Sequence, residues 1–463
     1  METPLDVVIL AAGKGTRMRS GLPKVLHPLA GLPLIEHPLR VAQNLSPART
    51  VIVVSHGADE VRAACARREL TFVDQGEPHG TGHAVLVARR AVVSPSILVL
   101  PGDVPLVPAA ALQALLSHHR GSGATVSLLT MAPSDPGSYG RVERGENGHP
   151  VRVVEAGDAT PEELAIREVN SGIWCLTNTA ALWQALERLP TGNAKGEHYL
   201  TDLVAVFARQ GKAAALLWPH ADDLRGVNDR VGLAQVESLL RQRILTAWMR
   251  DGVTVVDPAA VYPSLDVTVG ADTVLHPGTH LLGRTVVGAG CTIGPGAYLA
   301  DSWIEDGARV WYSTVEEASV GPGAHVGPYA HLRPGSRIGA RARVGNFVEV
   351  KAASLGEGAK AAHLAYIGDA EIGAGANIGA GAITCNFQPG RTGKFRTEVG
   401  PGAFIGSNAS LIAPIRIGEG AVVGAGSVVT QDIPPYALAL ERAPEVVKPG
   451  WARPREQGAK PDG

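Results

Sequence analysis

The chain of 463 residues is poor in cysteine, in aromatic residues and in net charge. Its four cysteines, Cys65, Cys175, Cys291 and Cys385, are far apart and form no C-x-x-C pair. This spacing indicates neither a zinc ribbon nor a disulfide framework, and it favours a reducing compartment. A formal net charge of −2 gives no overall basic field, so nucleic acid is not an expected partner.

Long hydrophobic runs are also missing from the sequence. No stretch approaches the roughly 18 apolar residues that a membrane span requires. The N-terminus has an acidic residue where a signal peptide would have basic ones. We therefore expect a cytoplasmic protein with no membrane partner. The length predicts two domains or more, and a hydrophobic content of 45% is ample for sizeable cores.

Glycine, with 56 residues, is abundant, and in the C-terminal half it accompanies a repeat. Aliphatic residues recur at every sixth position in three unbroken runs, 269–299, 320–350 and 399–429. A period of six fits neither an amphipathic helix nor a half-buried strand. It predicts a solenoid of very short strands, in which stacked coils share one core and glycine allows tight corners.

This repeat resembles that of the hexapeptide-repeat acyltransferases. The resemblance implies a left-handed parallel β-helix of triangular section. The period alone does not indicate that handedness, which runs against the usual right-handed crossover between parallel strands.

The N-terminal half alternates short apolar runs with helical segments, which predicts a doubly wound α/β domain with a mainly parallel sheet. The first apolar run, residues 7–10, leads into a glycine-rich turn at 11–18 and a predicted helix start. Free backbone N–H groups at such a turn form an anion site. The turn lacks the third glycine of a dinucleotide fingerprint and the Gly-Lys-Ser/Thr ending of a Walker A loop.

Together with Leu22-Pro23-Lys24, this turn resembles the signature of the sugar-nucleotide pyrophosphorylases. The resemblance implies that the loop binds UTP, that Lys24 binds phosphate, and that Arg17 stabilises the negative charge that develops as pyrophosphate leaves. The loop residues implied to contact the nucleotide are Leu10, Ala11, Ala12 and Gly13.

Later segments of the N-terminal half extend this resemblance. Residues 75–84 resemble the uracil-recognition segment of uridyltransferases, which implies base contacts from Gln75, Gly80 and Thr81. His83, in the same segment, is interpreted as structural rather than catalytic. The residues implied to bind the hexosamine are Gly140, Glu155 and Asn170.

Two residues are implied to hold Mg²⁺. Asp103 follows the buried run 97–100, and the carboxyl ends of parallel strands are where open α/β sheets bind ligands. Magnesium prefers one or two carboxylates together with phosphate oxygens, so a single aspartate is reasonable. Asn228 is the second implied ligand and is also placed to bind the nucleotide. It precedes a helix, so it also suits an N-cap, and both roles are compatible.

A connector follows the nucleotide-binding half. Apolar residues recur at three- and four-residue spacing over 233–248, which predicts an amphipathic helix. We predict a pyrophosphorylase domain at 1–227, a linker helix at 228–250, and a β-helix acetyltransferase domain with a C-terminal tail at 251–463.

Large polar residues cluster within the repeat between Arg333 and Asn386, where a solenoid of aliphatic residues has no structural use for them. Their concentration indicates a site. His363 is the sharpest candidate for a general base. Glu349 lies 14 residues earlier, and we predict that its carboxylate orients the imidazole from an adjacent coil.

This cluster resembles the acetyltransferase half of the bifunctional bacterial enzymes that make UDP-N-acetylglucosamine for cell-wall and lipopolysaccharide synthesis. The resemblance implies that His363 deprotonates the amine of glucosamine 1-phosphate, which then attacks acetyl-CoA as co-substrate. The residues implied to bind the sugar phosphate are Arg333, Lys351, Tyr366 and Asn377. Those implied to bind acetyl-CoA are Ala380, Asn386, Phe387, Lys394, Ser407, Ala425 and Arg442.

The repeat is interrupted at 384–397, and an insertion in a solenoid maps to an external loop. In the resembled family this loop reaches a neighbouring subunit, which implies a homotrimer with Lys394 in a shared site. An N–H near Ala380 is implied to stabilise the oxyanion. Phe387 and Pro101 depart from the family, whose members commonly have a tyrosine and an aromatic residue there.

The sequence therefore predicts acetylation of glucosamine 1-phosphate, followed by uridylyl transfer from UTP to N-acetylglucosamine 1-phosphate. Three alternatives stay open at this point. The chain could be a pyrophosphorylase whose β-helix serves assembly or regulation, a non-catalytic scaffold of the exchange-factor type, or an acyltransferase for another sugar.

Overall fold

The structure is a computed structural model that describes residues 4–66, 69–390 and 392–452. The chain divides into two compact units, Met1–Thr246 and Ala247–Gly463. This division falls within a helix, Arg230–Arg250, in the region where the sequence predicts the linker. The three-part division at 227 and 250 stays a prediction. In the part of the chain described, no helix is both long and apolar enough to cross a membrane.

A single sheet organises the described part of the N-terminal unit. Seven strands lie side by side in the order Ala213–Leu217, Val126–Met131, Val169–Thr177, Ser96–Pro101, Leu5–Leu10, Arg49–Val54 and Thr71–Asp74. The strand Val169–Thr177 runs antiparallel to both neighbours, and the other neighbouring pairs are parallel. A hairpin of Arg141–Arg144 and Pro150–Val154 joins the sheet at Val169.

Both faces of this sheet are buried. On the strand Leu5–Leu10, Val7 and Ile9 belong to one apolar core and Val8 to another, because successive side chains of a strand point to opposite faces. Helices cover each face, which is the doubly wound arrangement expected from the sequence. The α-helices described in this unit, α1 to α7, are Glu36–Gln43, Ala58–Cys65, Thr81–Val87, Ala109–Ser122, Pro161–Leu164, Ala180–Glu187 and Asp202–Ala208. The helix α8, Arg230–Arg250, contains the boundary between the units.

Shorter elements complete this unit. A two-stranded hairpin pairs Pro28–Leu29 with Leu32–Pro33. The 3₁₀ helices are Thr16–Met18, Lys24–Leu26, Ala88–Arg90 and Ala221–Leu224. The helix start predicted after the glycine-rich turn is only the single 3₁₀ turn Thr16–Met18, which ends where Arg19 adopts a left-handed conformation. An anion there would therefore depend on loop N–H groups and nearby cations rather than on a helix terminus.

The C-terminal unit is a stack of coils with three parallel sheets. The first sheet contains Thr254–Val255, Val274–Leu275, Thr292–Ile293, Arg309–Val310, His325–Val326, Arg343–Asn346, Lys360–His363, Asn377–Ile378, Phe404–Ile405, Val422–Val423 and Leu438–Ala439. The second contains Val261–Pro263, Thr279–Leu282, Tyr298–Ala300, Thr314–Glu316, His331–Leu332, Glu349–Lys351, Tyr366–Gly368, Ile383–Cys385, Ser410–Ile412 and Val428–Val429. The third contains Thr268–Val269, Val286–Val287, Trp303–Ile304, Ser319–Val320, Arg337–Ile338, Ser354–Leu355, Ala370–Ile372, Thr397–Val399 and Ile415–Ile417. A 3₁₀ helix, Pro258–Ala260, lies in the first coil.

The period-six residues fill the interior of this stack. Leu275, Leu281 and Ile293 are fully buried, and each lies in a strand of two to four residues. Each strand pairs with the strand one coil later, so that Leu275 faces Ile293 and Ile293 faces Val310. The coils advance by 17 or 18 residues at these positions. The predicted architecture, a doubly wound α/β domain followed by a parallel β-helix of hexapeptide repeats, is confirmed.

Candidate active sites

A cavity of about 570 Å³ lies in the N-terminal unit at the carboxyl ends of Leu5–Leu10 and Ser96–Pro101. Most residues predicted to bind nucleotide, sugar or metal line it: Leu10, Ala11, Ala12, Gly13, Lys24, Gln75, Gly80, Thr81, Asp103, Glu155 and Asn170. Three predicted residues, Arg17, Gly140 and Asn228, are not in this lining. Lining residues to which sequence reasoning assigned no role include Val25, Pro78 and Trp174.

The glycine loop packs directly against Lys24. Gly15 has a φ of +59°, a left-handed conformation that favours glycine. A Cβ atom at Gly15 would lie 2.6 Å from the Lys24 Cβ, so a side chain there would push Lys24 away. The loop and the cation that follows it in sequence therefore form one surface of the cavity.

The predicted uracil-binding groups are held by neighbouring segments. The Gln75 Nε2 donates to the Gly80 carbonyl at 3.0 Å and lies 3.2 Å from the His83 Nδ1. His83 is in the first turn of α3, and burial, followed by the charges of His79 and His198, lowers its pKa. The neutral ring therefore suits a structural role as acceptor for Gln75.

The predicted sugar-binding groups form a second wall. Burial raises the pKa of Glu155, whose Oε1 accepts a hydrogen bond from the Thr201 hydroxyl at 3.1 Å. Gly140 lies behind this wall, because a Cβ there would be 3.2 Å from the Glu155 Oε1. The Gly140 carbonyl also accepts the Asn170 N–H at 2.9 Å. Gly140 thus connects the two predicted sugar ligands through its backbone.

The two predicted metal ligands lie on adjacent segments, because the Val227 N–H donates to the Asp103 carbonyl at 2.9 Å. In the structure each of these two side chains is bound to a basic side chain. The Asp103 carboxylate pairs with the Lys24 ammonium, and the Asn228 Oδ1 accepts the Arg17 guanidinium at 2.9 Å. Arg17 and Asn228 line a neighbouring pocket of about 290 Å³.

The donor set at this place suits magnesium. One carboxylate and one amide oxygen leave coordination positions for phosphate oxygens and water. Among the described residues, no group of three or more His, Cys, Asp and Glu side chains could hold a metal alone. A metal held by Asp103 and Asn228 would therefore need a ligand such as a triphosphate to complete its coordination.

In the C-terminal unit, His363 is exposed at the end of a first-sheet strand, and its Nδ1 lies 2.7 Å from the Asn346 Oδ1. The predicted contact between Glu349 and His363 is wrong. The neighbour on the preceding coil is 17 residues earlier, not 14, because one coil takes 17 residues here. Sequence reasoning therefore missed Asn346, because a period of six predicts coils of 18 residues and this coil has 17.

Glu349 instead pairs with the Arg333 guanidinium at 2.8 Å and lies opposite Tyr366 on the second sheet. The Tyr366 hydroxyl accepts a hydrogen bond from the Asn386 Nδ2 at 3.3 Å, and Asn386 also donates to the Asp369 carboxylate at 2.5 Å. The stacking of coils thus joins these polar residues in one chain of contacts beside the strand that ends at His363.

The other predicted ligands lie on the same or following coils. Lys351 is opposite Gly368 on the second sheet, and Asn377 is opposite Lys360 on the first. Within the part of the chain described, the Ala380 N–H forms no backbone hydrogen bond, whereas its carbonyl accepts the Asn408 N–H at 2.7 Å.

Predicted acetyl-CoA residues form a column along the coils. Ala380, Ser407 and Ala425 lie at equivalent corners of three successive coils, since Asn408 bonds to Ala380 and Gly426 to Ser407. At about 4.8 Å for each coil, the column extends about 10 Å. Its small side chains leave space for an extended ligand.

The interrupted part of the repeat carries the remaining predicted ligands. The Lys394 ammonium lies 4.8 Å from the centroid of the exposed Phe387 ring. The Phe395 N–H donates to the Asn386 carbonyl at 3.0 Å, which closes the loop onto the coil. Arg442 is exposed beyond the last strand, Leu438–Ala439, and among the described residues no hydrogen bond or ion pair joins it to the other predicted ligands.

These two units define a nucleotidyltransferase domain joined to a hexapeptide-repeat acyltransferase domain. A family model described as a MobA-like NTP transferase domain matches residues 7–206. The bacterial transferase hexapeptide model matches 266–301, 317–352 and 396–431, which contain the three runs found in the sequence.

Curated relatives match almost the whole chain. The bifunctional protein GlmU of an Exiguobacterium species is 46% identical over 449 residues, which cover 96% of this chain and 99% of the relative. The GlmU proteins of Geobacillus thermodenitrificans and Pelobacter propionicus are 43% and 44% identical, over 96% of this chain and 96% and 97% of theirs. The chain belongs to the family of bifunctional GlmU proteins.

Proposed function

We propose that the chain catalyses two successive transfers in the synthesis of UDP-N-acetylglucosamine. The C-terminal unit transfers the acetyl group of acetyl-CoA to glucosamine 1-phosphate. The N-terminal unit then transfers the uridylyl group of UTP to N-acetylglucosamine 1-phosphate and releases pyrophosphate. One observation carries the proposal: a single chain of the GlmU family holds both the cavity with the glycine loop and Asp103, and the cluster around His363.

The uridylyl transfer is a matter of positioning and charge. A phosphate oxygen of the sugar attacks the α-phosphorus of UTP, and the bond to pyrophosphate breaks. Lys24 and Arg17 carry the positive charge that stabilises the departing pyrophosphate, while Glu155 and Asn170 orient the sugar. When bound by Asp103 and Asn228, Mg²⁺ would neutralise negative charge on the triphosphate.

The acetyl transfer uses His363 as a general base. The Asn346 Oδ1 is an acceptor, so the His363 Nδ1 carries the hydrogen and Nε2 is free to take a proton. The amine of glucosamine 1-phosphate attacks the thioester carbon and loses a proton to Nε2, and the thiolate of CoA leaves. The Ala380 N–H, which makes no backbone hydrogen bond in the described structure, serves as the oxyanion donor.

Oligomerisation is suggested by the hexapeptide repeats, and we propose a homotrimer. Exposed apolar side chains support it, because Tyr312, Tyr329, Phe347 and Leu364 lie on consecutive coils next to His363. The Tyr329 and Phe347 rings stack at 5.5 Å. Sedimentation velocity should give three times the chain mass of 48.1 kDa, and a monomer would contradict this proposal. The cytoplasmic location stays a prediction.

The deciding experiment measures pyrophosphate release from UTP, Mg²⁺ and glucosamine 1-phosphate, with and without acetyl-CoA. We expect release to depend on acetyl-CoA, which would demonstrate both reactions and their order. Equal release in both tubes would mean that the free amine is accepted in the second reaction. If pyrophosphate is released only when N-acetylglucosamine 1-phosphate is added, the proposed uridylyl transfer stands and the proposed acetyl transfer is refuted.

A further inference from the structure

A tyrosine outside the large cavity contacts the segment that carries Asn228. The Tyr139 hydroxyl accepts the N–H of Gly226, with 2.9 Å between oxygen and nitrogen. The next N–H, that of Val227, donates to the Asp103 carbonyl at 2.9 Å. Two successive backbone donors are therefore held just before Asn228, one by a side chain and one by the residue that supplies the carboxylate.

Tyr139 is itself held from behind. Arg141 is only 4% exposed, and its guanidinium donates to the Gly137 carbonyl at 3.1 Å and to the Tyr139 carbonyl. The Tyr139 ring packs on the core beneath the sheet, and burial raises the pKa of its hydroxyl. The hydroxyl therefore stays neutral, in a fixed place, and able to accept the Gly226 N–H.

Asn228 needs such support more than Asp103 does. An amide oxygen is a neutral ligand, so it attracts a divalent cation less strongly than a carboxylate. It also has an alternative partner, since its Oδ1 accepts a hydrogen bond from Arg17 at 2.9 Å. Groups that orient a ligand without touching the metal commonly change metal affinity by about 10- to 100-fold when they are removed.

We propose that Tyr139 is a positioning residue for metal binding: its hydroxyl fixes the Gly226–Asn228 segment so that the Asn228 Oδ1 and the Asp103 carboxylate face the same cation. This inference rests on the proposed uridylyl transfer, and it goes beyond that function because Tyr139 does not line the nucleotide and sugar cavity but the neighbouring pocket that contains Arg17 and Asn228. No step of the transfer passes through the phenol itself.

The test is Mn²⁺ binding in the presence of UTP, followed by electron paramagnetic resonance, on the full chain and two variants. Tyr139→Phe removes only the hydroxyl and leaves the Gly226 N–H without its acceptor. Tyr199→Phe is the matched control, since Tyr199 is a buried tyrosine of the same unit, outside the cavity lining. We expect Tyr139→Phe to weaken Mn²⁺ binding by about tenfold and Tyr199→Phe to leave it unchanged.

The kinetics of uridylyl transfer give a second test, because a purely structural role of Tyr139 would not change the KM for Mg²⁺. For Tyr139→Phe, we expect the KM for Mg²⁺ to rise by about tenfold, with kcat at saturating Mg²⁺ within about threefold of the original chain. A lower kcat with an unchanged KM for Mg²⁺ would overturn the inference. Equal Mn²⁺ affinity in Tyr139→Phe and Tyr199→Phe would also overturn the inference. A large loss of thermal stability confined to Tyr139→Phe would do the same.

The same titration separates this inference from the proposed function. If the original chain fails to bind Mn²⁺ with UTP, the metal site at Asp103 and Asn228 is refuted, and the positioning role falls with it. If the original chain binds Mn²⁺ and Tyr139→Phe binds it equally well, the proposed function stands and the role of Tyr139 is overturned.

Discussion

At the scale of single residues, an amide rather than a carboxylate holds the predicted base. The Asn346 Oδ1 accepts from the His363 Nδ1 at 2.7 Å, which sets the tautomer without adding a charge. Glu349 is bound to Arg333 instead, where the pair bounds the predicted sugar-phosphate site. A phosphate at Arg333 would therefore compete with the Glu349 carboxylate for the guanidinium.

The role of Asn346 gives the first prediction. Asn346→Leu removes the acceptor for Nδ1–H, so we expect acetyl transfer to fall by about tenfold or more. Asn346→Asp keeps an acceptor there and should retain more activity than the leucine variant. Acetyl transfer is measured as CoA release, and uridylyl transfer by the same variants serves as control. Equal activity in Asn346→Leu and the original chain would show that Asn346 does not set the tautomer.

The ion pair of Lys24 with Asp103 gives the second prediction. Each side chain is less than one-fifth exposed, and the pair occupies a carboxylate predicted to bind metal. Lys24→Met should raise the affinity of the free chain for Mn²⁺ by about fivefold, equivalent to ~1 kcal/mol, and weaken UTP binding. Lys14→Met is the control, since Lys14 lines the same cavity. An equal gain in both variants would mean that general charge, not this pair, limits metal binding.

At the scale of elements, the long helix α4 contributes a buried histidine to the sheet. The His119 Nδ1 lies 2.8 Å from the Ser127 hydroxyl and its Nε2 2.9 Å from the Thr177 hydroxyl. Burial, with smaller effects of Arg120 and His118, lowers the pKa of His119 to about 4. The folded chain therefore keeps a neutral ring that the unfolded chain protonates near pH 6.5.

This difference predicts how stability depends on pH. Below pH 6.5 the unfolded state binds a proton that the folded state does not, so stability falls as pH decreases from 6.5 to about 4. The loss from His119 is on the order of 3 kcal/mol. Urea unfolding of His119→Gln should show a shallower decline over this window, and His118→Gln should not. If the stability of the original chain, His119→Gln and His118→Gln declines in parallel with pH, the role of His119 is refuted.

A close contact between two coils supports the His363 strand. Gly345 precedes Asn346, and a Cβ atom there would lie 1.9 Å from the Ala362 carbonyl oxygen. Gly345→Ala would force the strand Lys360–His363 away, which costs about 1–3 kcal/mol and separates the Asn346 and His363 side chains. We expect CoA release to fall sharply while uridylyl transfer continues. Loss of both activities would mean that the variant fails to fold rather than repositions one strand.

At the scale of the whole molecule, the two chemistries occupy two units with separate cores. The proposed intermediate, N-acetylglucosamine 1-phosphate, is a small soluble molecule that leaves one site and enters the other. Asp103→Asn should abolish uridylyl transfer, and His363→Ala should lower acetyl transfer by about 10²- to 10⁴-fold. Neither variant alone should convert glucosamine 1-phosphate to UDP-N-acetylglucosamine at a useful rate.

Mixing these two variants in one tube should restore the overall conversion, because each supplies the site that the other lacks. The measurement is UDP-N-acetylglucosamine formed from glucosamine 1-phosphate, acetyl-CoA and UTP. Continued inactivity of the mixture, with each variant still active in its own half-reaction, would show that the intermediate does not exchange through solution.

The sequence by itself determined the two architectures and most of the candidate nucleotide site. A strict period of six requires one inward side chain at each short strand, and the glycine-rich turn after the first apolar run marks an anion site. Only the tertiary structure decided which polar groups meet. Coils of 17 residues bring Asn346 to His363 and leave Glu349 to Arg333. The contacts of Arg17 with Asn228 and of Tyr139 with Gly226 join residues 211 and 87 positions apart, which no local pattern encodes.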